Sequence, residues 1–181
     1  MLRRAVVRGA PNPLHFGFAQ RLRRARKAAD LTHSALARAT GAVSRATTAA
    51  LEAGENVPRV DTVERLANAL GLSPCTLAFG IDQPWEHTEG LRCQGLPARL
   101  REAREACGLS MRELSRRADA SVVLVRSTEV GASLPNLVRL EALAKALGLS
   151  PCWLAYGVGE REARRGRRAA GALPVGHEQP G

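Results

Sequence analysis

A block of fifteen residues occurs twice in this chain. Leu66 to Gly80 reads LANALGLSPCTLAFG and Leu143 to Gly157 reads LAKALGLSPCWLAYG, with about a dozen positions identical. A repeat this long constrains the architecture before any other consideration. It requires one unit of roughly sixty residues present in two copies. The 181 residues have room for two small domains. A sixty-residue unit buries only about 60% of the surface its unfolded chain exposes, yet can fold alone. Aromatic residues are 3% of the chain, so Ala and Leu must fill the cores, which suits short, closely packed helices.

Periodicity and punctuation divide each unit into five helices. In the first, Phe18, Leu22, Ala25 and Ala29 recur at helical spacing, with Arg21, Arg23, Arg24, Arg26 and Lys27 on the other faces as a solvated charge run. Thr32 is the N-cap of a second helix that turns Leu36 and Ala37 inward. Gly41 supplies a turn through the left-handed region. Ser44 caps a third helix, which runs to about Ala53 and ends at Gly54. The fourth helix buries Val60, Val63, Leu66, Ala67 and Leu70, and Ser73-Pro74 opens a fifth. The second unit repeats the plan. Its first helix carries Leu96, Leu100, Ala103 and Cys107 inward, and its second begins with a Ser110-x-x-Glu113 capping box. Asp119-Ala120 makes the turn, Ser121 caps the third helix, Asn136 caps the fourth, and Ser150-Pro151 opens the fifth. The expected boundaries are a flexible basic arm over 1–17, domains over 18–80 and 96–157, a linker over 81–95, and a disordered basic tail over 158–181.

The net charge is +10 and almost all of the positive charge is arginine. A basic chain of this kind is drawn to polyanions. No apolar run approaches the roughly 18 residues of a membrane span. Ala5-Val6-Val7 is far too short for a secretory core. The expected location is therefore the cytoplasm, beside the nucleoid, with no membrane partner. The cysteines Cys75, Cys93, Cys107 and Cys152 form no Cys-x-x-Cys pair and the four histidines are scattered, so no metal site is expected. Reduced, mostly buried thiols are expected instead. No phosphate-cradling glycine loop and no nucleophile motif is present, so no catalytic residue, no cofactor and no enzymatic activity are expected.

The spaced positions Leu31-Thr32, Leu36-Ala37, Gly41, Ser44, Glu52-Ala53-Gly54, Pro58 and Leu66 to Ser73 resemble the lambda-repressor-like helix-turn-helix family, of the Cro and xenobiotic-response-element regulator type. The pattern returns as Leu109-Ser110, Leu114, Ser121, Glu129-Val130-Gly131, Pro135 and Leu143 to Ser150. The resemblance covers about two-thirds of the chain. It implies an all-α fold of two tandem five-helix lambda-repressor-like domains joined by a short linker. It also implies a sequence-specific regulator of transcription, such as a bacterial or phage repressor, whose partner is double-stranded DNA. In that family the third helix meets base edges, while the start of the second helix and the loop after the third grip phosphates. Carried over, the base-facing residues are Ser44, Arg45, Ala46 and Ala49 in the first unit, with Thr32, His33 and Asn56 at the backbone. In the second unit they are Ser121, Val122, Val123, Arg126 and Ser127, with Ser110 and Ser133 at the backbone. Arg45 and Arg126 suit guanine, whose O6 and N7 accept a bidentate guanidinium, and the valines suit thymine methyl groups.

The chain departs from that family in four places, one of them Asp119, which stands for the turn glycine in the second unit and tolerates the left-handed region less well than Gly. The glutamine that follows Leu-Thr is His33 in one unit and Met111 in the other, and Met111 cannot bond a phosphate strongly. The first unit holds one extra residue before Glu52, near Ala42, which could rotate its third helix. The third helix of the second unit is unusually apolar, from Val122 to Val125. That leaves open a second role, a protein-interaction module of antitoxin or antirepressor type in which one unit no longer binds DNA. A homodimer joined through the fifth helix and Trp153-Leu154-Ala155-Tyr156 also stays open, and a fifteen-residue linker could let the two units span two half-sites.

Overall fold

The protein is described here by a computed structural model covering residues 13–88 and 90–163. The arginines expected in the basic ends at 1–12 and 164–181 lie outside the described residues. The first unit comprises α1 (Phe18–Ala28), α2 (His33–Thr40), α3 (Arg45–Ala53), α4 (Val60–Ala69) and α5 (Pro74–Phe79). The second comprises α6 (Leu96–Ala106), α7 (Met111–Arg117), α8 (Val122–Glu129), α9 (Leu137–Leu147) and α10 (Pro151–Tyr156), preceded by a 3-10 turn at Arg92–Gly95. Among the described residues there are two isolated β-bridges and no strand.

Local chemistry starts and stops these helices as expected. Thr32, Ser44, Ser73, Ser110, Ser121, Asn136 and Ser150 each accept a hydrogen bond from a first-turn amide, satisfying donors with no partner in the helix. Asp119 takes the turn before α8 with φ 47°, a left-handed conformation that Asp tolerates better than most residues. Helical periodicity overreaches at two points. Ala29 and Cys107 are exposed rather than in the core, because α1 and α6 end one residue earlier and their chains turn away.

The arginines of α1 are not simply a solvated face. Arg26 Nε and Nη2 donate to both oxygens of buried Glu52 on α3, at 2.6 and 2.8 Å, and its Nη1 donates to Leu31 O. Arg104 on α6 holds Glu129 on α8 in the same way, at 2.6 and 2.9 Å, with Nη1 on Leu109 O. A fork-to-fork pair of this kind fixes angle as well as distance. Arg21 and Arg99 cap the other end of each bundle, donating from Nε to Leu77 O and Leu154 O. The extra residue in the first unit leaves this clamp unchanged. It is absorbed by α2, which runs one residue longer than α7, so both third helices keep the same anchor to their first helices.

The two units are docked against each other through matching positions. Val60 N donates to Pro135 O and Leu137 N donates to Pro58 O, both at 3.1 Å, making an antiparallel bridge between Arg59 and Asn136. Glu64 on α4 accepts the amides of Arg92 and Cys93 at 2.7 and 2.9 Å. Its counterpart Glu141 on α9 accepts those of Leu14 and His15 at 3.0 and 2.7 Å. Each glutamate therefore holds the segment leading into the other unit's first helix. Buried Cys75 on α5 interacts with its counterpart Cys152 on α10, and that interaction together with burial pushes the Cys75 thiol far above the ordinary range. The backbone and glutamate contacts come in reciprocal pairs, Val60 with Pro135 and Leu137 with Pro58, Glu64 with Arg92 and Cys93 and Glu141 with Leu14 and His15, as in an isologous dimer. Tyr156 adds a hydrogen bond to Val60 O, and Trp85 packs edge-on against its ring at 6.2 Å.

Four expectations change accordingly. The surface around Leu154 and Tyr156 is buried within the chain, so it is not a free patch for self-association. Residues 81–95 are not a slack tether, since Cys93 is buried and Trp85 Nε1 donates to Asn68 Oδ1. The described part of the arm, 13–17, is held by Glu141. The described part of the tail also packs: Val158 is buried, Ser150 N donates to Arg161 O and Ala163 N to Gly148 O.

Two outcomes are expected. Glu64→Ala strands two amides, one of them buried, and each lost bond costs about 1–3 kcal/mol. Urea denaturation should show a loss in that range or above, and a change under about 0.5 kcal/mol would contradict the contact. For Glu52, burial alone would raise the carboxyl. The hydrogen bonds and charges of Arg26 and His33 outweigh it and hold the group below the ordinary carboxylate range. Its stabilisation is present above the unfolded pKa of about 4.3 and lost as pH falls through the lower folded value. The Tm gap between wild type and Glu52→Gln should be widest near neutrality and narrow below about pH 4.

Candidate nucleic-acid interface

The Arg–Glu clamps leave the first turns of α3 and α8 standing outward. Val43 and Thr48 are buried beside Leu51 in the first unit, and Val125 and Thr128 in the second. These residues seat one side of each helix on its bundle. The opposite side is free. Ser44, Arg45, Ala46 and Ala49 are all exposed. Arg45 makes no side-chain hydrogen bond or ion pair among the described residues. In the second unit Ser121, Val122, Val123 and Arg126 are exposed, and Arg126 is likewise without a side-chain partner among the described residues. Both guanidinium groups that the sequence singles out therefore point to solvent, neither folded inward nor covered by a neighbouring segment.

The remaining sequence candidates divide into those left open and those committed to structure. Thr32 and Ser110 sit exposed at the starts of α2 and α7, each side chain accepting a first-turn amide, from Ala35 and Glu113. Ser44 and Ser121 do the same for Thr47 and Leu124. The hydroxyls of Thr32, Ser110 and Ser121 keep lone pairs and a proton for a second partner. His33 points back into the clamp, with Nε2 3.1 Å from Glu52 Oε2, so it braces α3. Asn56 is exposed in the loop after α3. Ser127 and Ser133 are tied to each other at 3.1 Å, and Ser127 also donates to Leu124 O. This pair fastens the end of α8 to its following loop.

Three features escape a reading by motif alone. The Arg26–Glu52 and Arg104–Glu129 pairs set the helix orientation, and their signal was the recurrence of both residues at matching places in the repeat. Arg38 and Arg116 also recur, exposed on the second helix of each unit, where a cation can meet a phosphate. Thr47, exposed and hydrogen-bonded to Ser44 at 2.8 Å, completes the outward turn of α3. Among the described residues no group of His, Cys, Asp or Glu is arranged to hold a metal ion, and no helix is long and apolar enough to cross a membrane.

The arrangement is chemically simple. A rigidly seated helix presents guanidinium, hydroxyl and small apolar side chains from its first turn, with further cations on the preceding helix. This is the geometry with which a helix-turn-helix enters the major groove. A helix-turn-helix domain family matches residues 18–79, and a second helix-turn-helix family matches residues 100–154. No curated protein and no solved structure matches the chain. With the second and third helices of each unit meeting across a tight turn, and both units matched, the chain belongs to the lambda-repressor-like helix-turn-helix family and carries two such domains in tandem.

Proposed function

We propose that this chain is a sequence-specific double-stranded DNA-binding regulator of transcription, acting beside the nucleoid, in which α3 and α8 enter the major groove at two half-sites of one operator. The observation that carries this reading is the pair of exposed arginines Arg45 and Arg126, without a side-chain partner among the described residues, on helices seated by the same kind of buried clamp. One chain then does what two chains do in a dimeric repressor. The contact at Arg59 and Asn136 supports this role. α3 and α8 each run into it through a short loop, Gly54 to Pro58 and Gly131 to Pro135. The last helical residues, Ala53 and Glu129, are six and seven residues from the bridge, so the helix ends lie no more than roughly 50 Å apart, a bound that admits two half-sites of one operator. Half-sites one turn apart are spaced by about 34–36 Å.

The two units differ at their base-facing positions, so the preferred operator is an imperfect palindrome. Selection from random duplex DNA with the full chain should return two unlike half-sites. Arg45→Ala should cost about 1–3 kcal/mol on the selected duplex and relax preference at one guanine, and Arg126→Ala should do so in the other half-site. Affinity should fall steeply between low and moderate salt, because phosphate contacts release counterions. Equal affinity for selected and scrambled duplexes, or an affinity flat with salt, would overturn the reading.

A further inference from the structure

The first turn of α8 is apolar where the first turn of α3 is cationic. Val122 and Val123 occupy the places of Arg45 and Ala46 in the repeat, and they are 38% and 75% exposed. Resting on the DNA-binding reading, we infer that Val122 and Val123 read a pyrimidine C5-methyl group, so that the half-site of the second unit is recognised by a different chemistry from that of the first.

The major-groove edges of the bases carry donors and acceptors throughout, and the C5-methyl is their apolar feature. An exposed valine gains by covering it, and valine loses little side-chain freedom in doing so because its branching already restricts χ1. Val122 and Arg126 are four residues apart and so share a face of α8, about 6 Å along the axis. A methyl-bearing pyrimidine and a guanine within about two base steps would satisfy both, since bases on one strand rise by about 3.4 Å.

The surroundings favour a nucleic acid over a protein partner. A stable protein interface needs about 20–30 residues a side, and this turn offers two valines. The other exposed valines nearby in sequence, Val130 and Val138, lie at the far end of α8 and on α9. Arg112, Arg116, Arg117 and Arg126 are exposed on α7 and α8. The acidic residues of that stretch are Glu113, engaged in the capping box with Ser110, Asp119, and Glu129, which is buried in the clamp with Arg104.

The test replaces thymidine by deoxyuridine, one position at a time, in the duplex selected by the full chain. This removes the methyl and nothing else. At one or two positions of the second unit's half-site the affinity should drop about fourfold per methyl, the value of one buried carbon. The same exchange opposite Arg45 should have no effect. Cytosine at the sensitive position should bind weakly. Recovery with 5-methylcytosine would identify methylated DNA as a second source of the methyl, and no recovery would confine the reading to thymine. The double variant Val122→Ser, Val123→Ser, checked for an unchanged melting temperature, should erase the thymine–uracil difference while keeping the guanine preference set by Arg45. Val122→Ala, Val123→Ala serves if the serine variant is unstable. Equal affinity for thymine and uracil duplexes overturns the inference and leaves the DNA reading standing. So does a variant that loses a protein complex but keeps the methyl preference. Failure to bind any duplex removes both.

Discussion

Two amides and two carbonyls, exchanged between Pro58–Val60 and Pro135–Leu137, join the two units. They place the start of α4 against the start of α9. Glu64 and Glu141 extend the contact by accepting amides from the segment that leads into the opposite unit. Cys75 and Cys152 meet at another pair of matching positions. A duplicated unit that buries the same surface in both copies has the geometry of a closed two-fold dimer, here written into one chain. Such closure removes the association step that separate subunits must undergo and lets the two third helices diverge.

Within each unit a buried ion pair does the orienting. Breaking one partner of such a pair typically costs about 3–5 kcal/mol, whereas a well-packed apolar pair in its place is often neutral or better for stability. The virtue of Arg26–Glu52 and Arg104–Glu129 is therefore directional. Each guanidinium fork reaches across from the first helix and fixes the tilt of the third, and in the first unit His33 adds a further bond to the same carboxylate. That arrangement explains how His33 and Met111 can stand at one position of the motif. Met111 leaves Glu129 to the arginines alone, with Arg101 Nε at 3.9 Å. The first unit keeps its extra residue in the longer α2 with the clamp intact, because neither end of the clamp lies on that helix.

Much of this was legible in the sequence, for local reasons. Caps, left-handed turns and Ser-Pro helix starts involve residues within four positions of one another, so Ser44, Ser121, Gly54 and Ser150-Pro151 announce themselves. The outward arginines were legible too, through the resemblance that located the third helices. What escaped depends on distant partners. Arg26 belongs to a charged run and looks solvated until Glu52, twenty-six residues on, is seen beneath it. Ala29 and Cys107 continue the helical period one step past the point where the chain turns. The stretch from Trp85 to Gly95 lacks periodicity because it is shaped by Asn68, Glu64 and Tyr156 on other elements. Docking of the units was foreshadowed only by the buried character of the repeated LSPC block, which would suit a homodimer equally well.

The central claim is that one chain carries both halves of an operator-binding surface in a single docked body. Native mass spectrometry of the full chain mixed with its selected duplex, read together with a hydroxyl-radical footprint of the same complex, tests it most directly. The account predicts one chain per duplex and two protected patches on one face of the DNA, one helical turn apart. Two chains per duplex, or a single protected patch the width of one half-site, would contradict it.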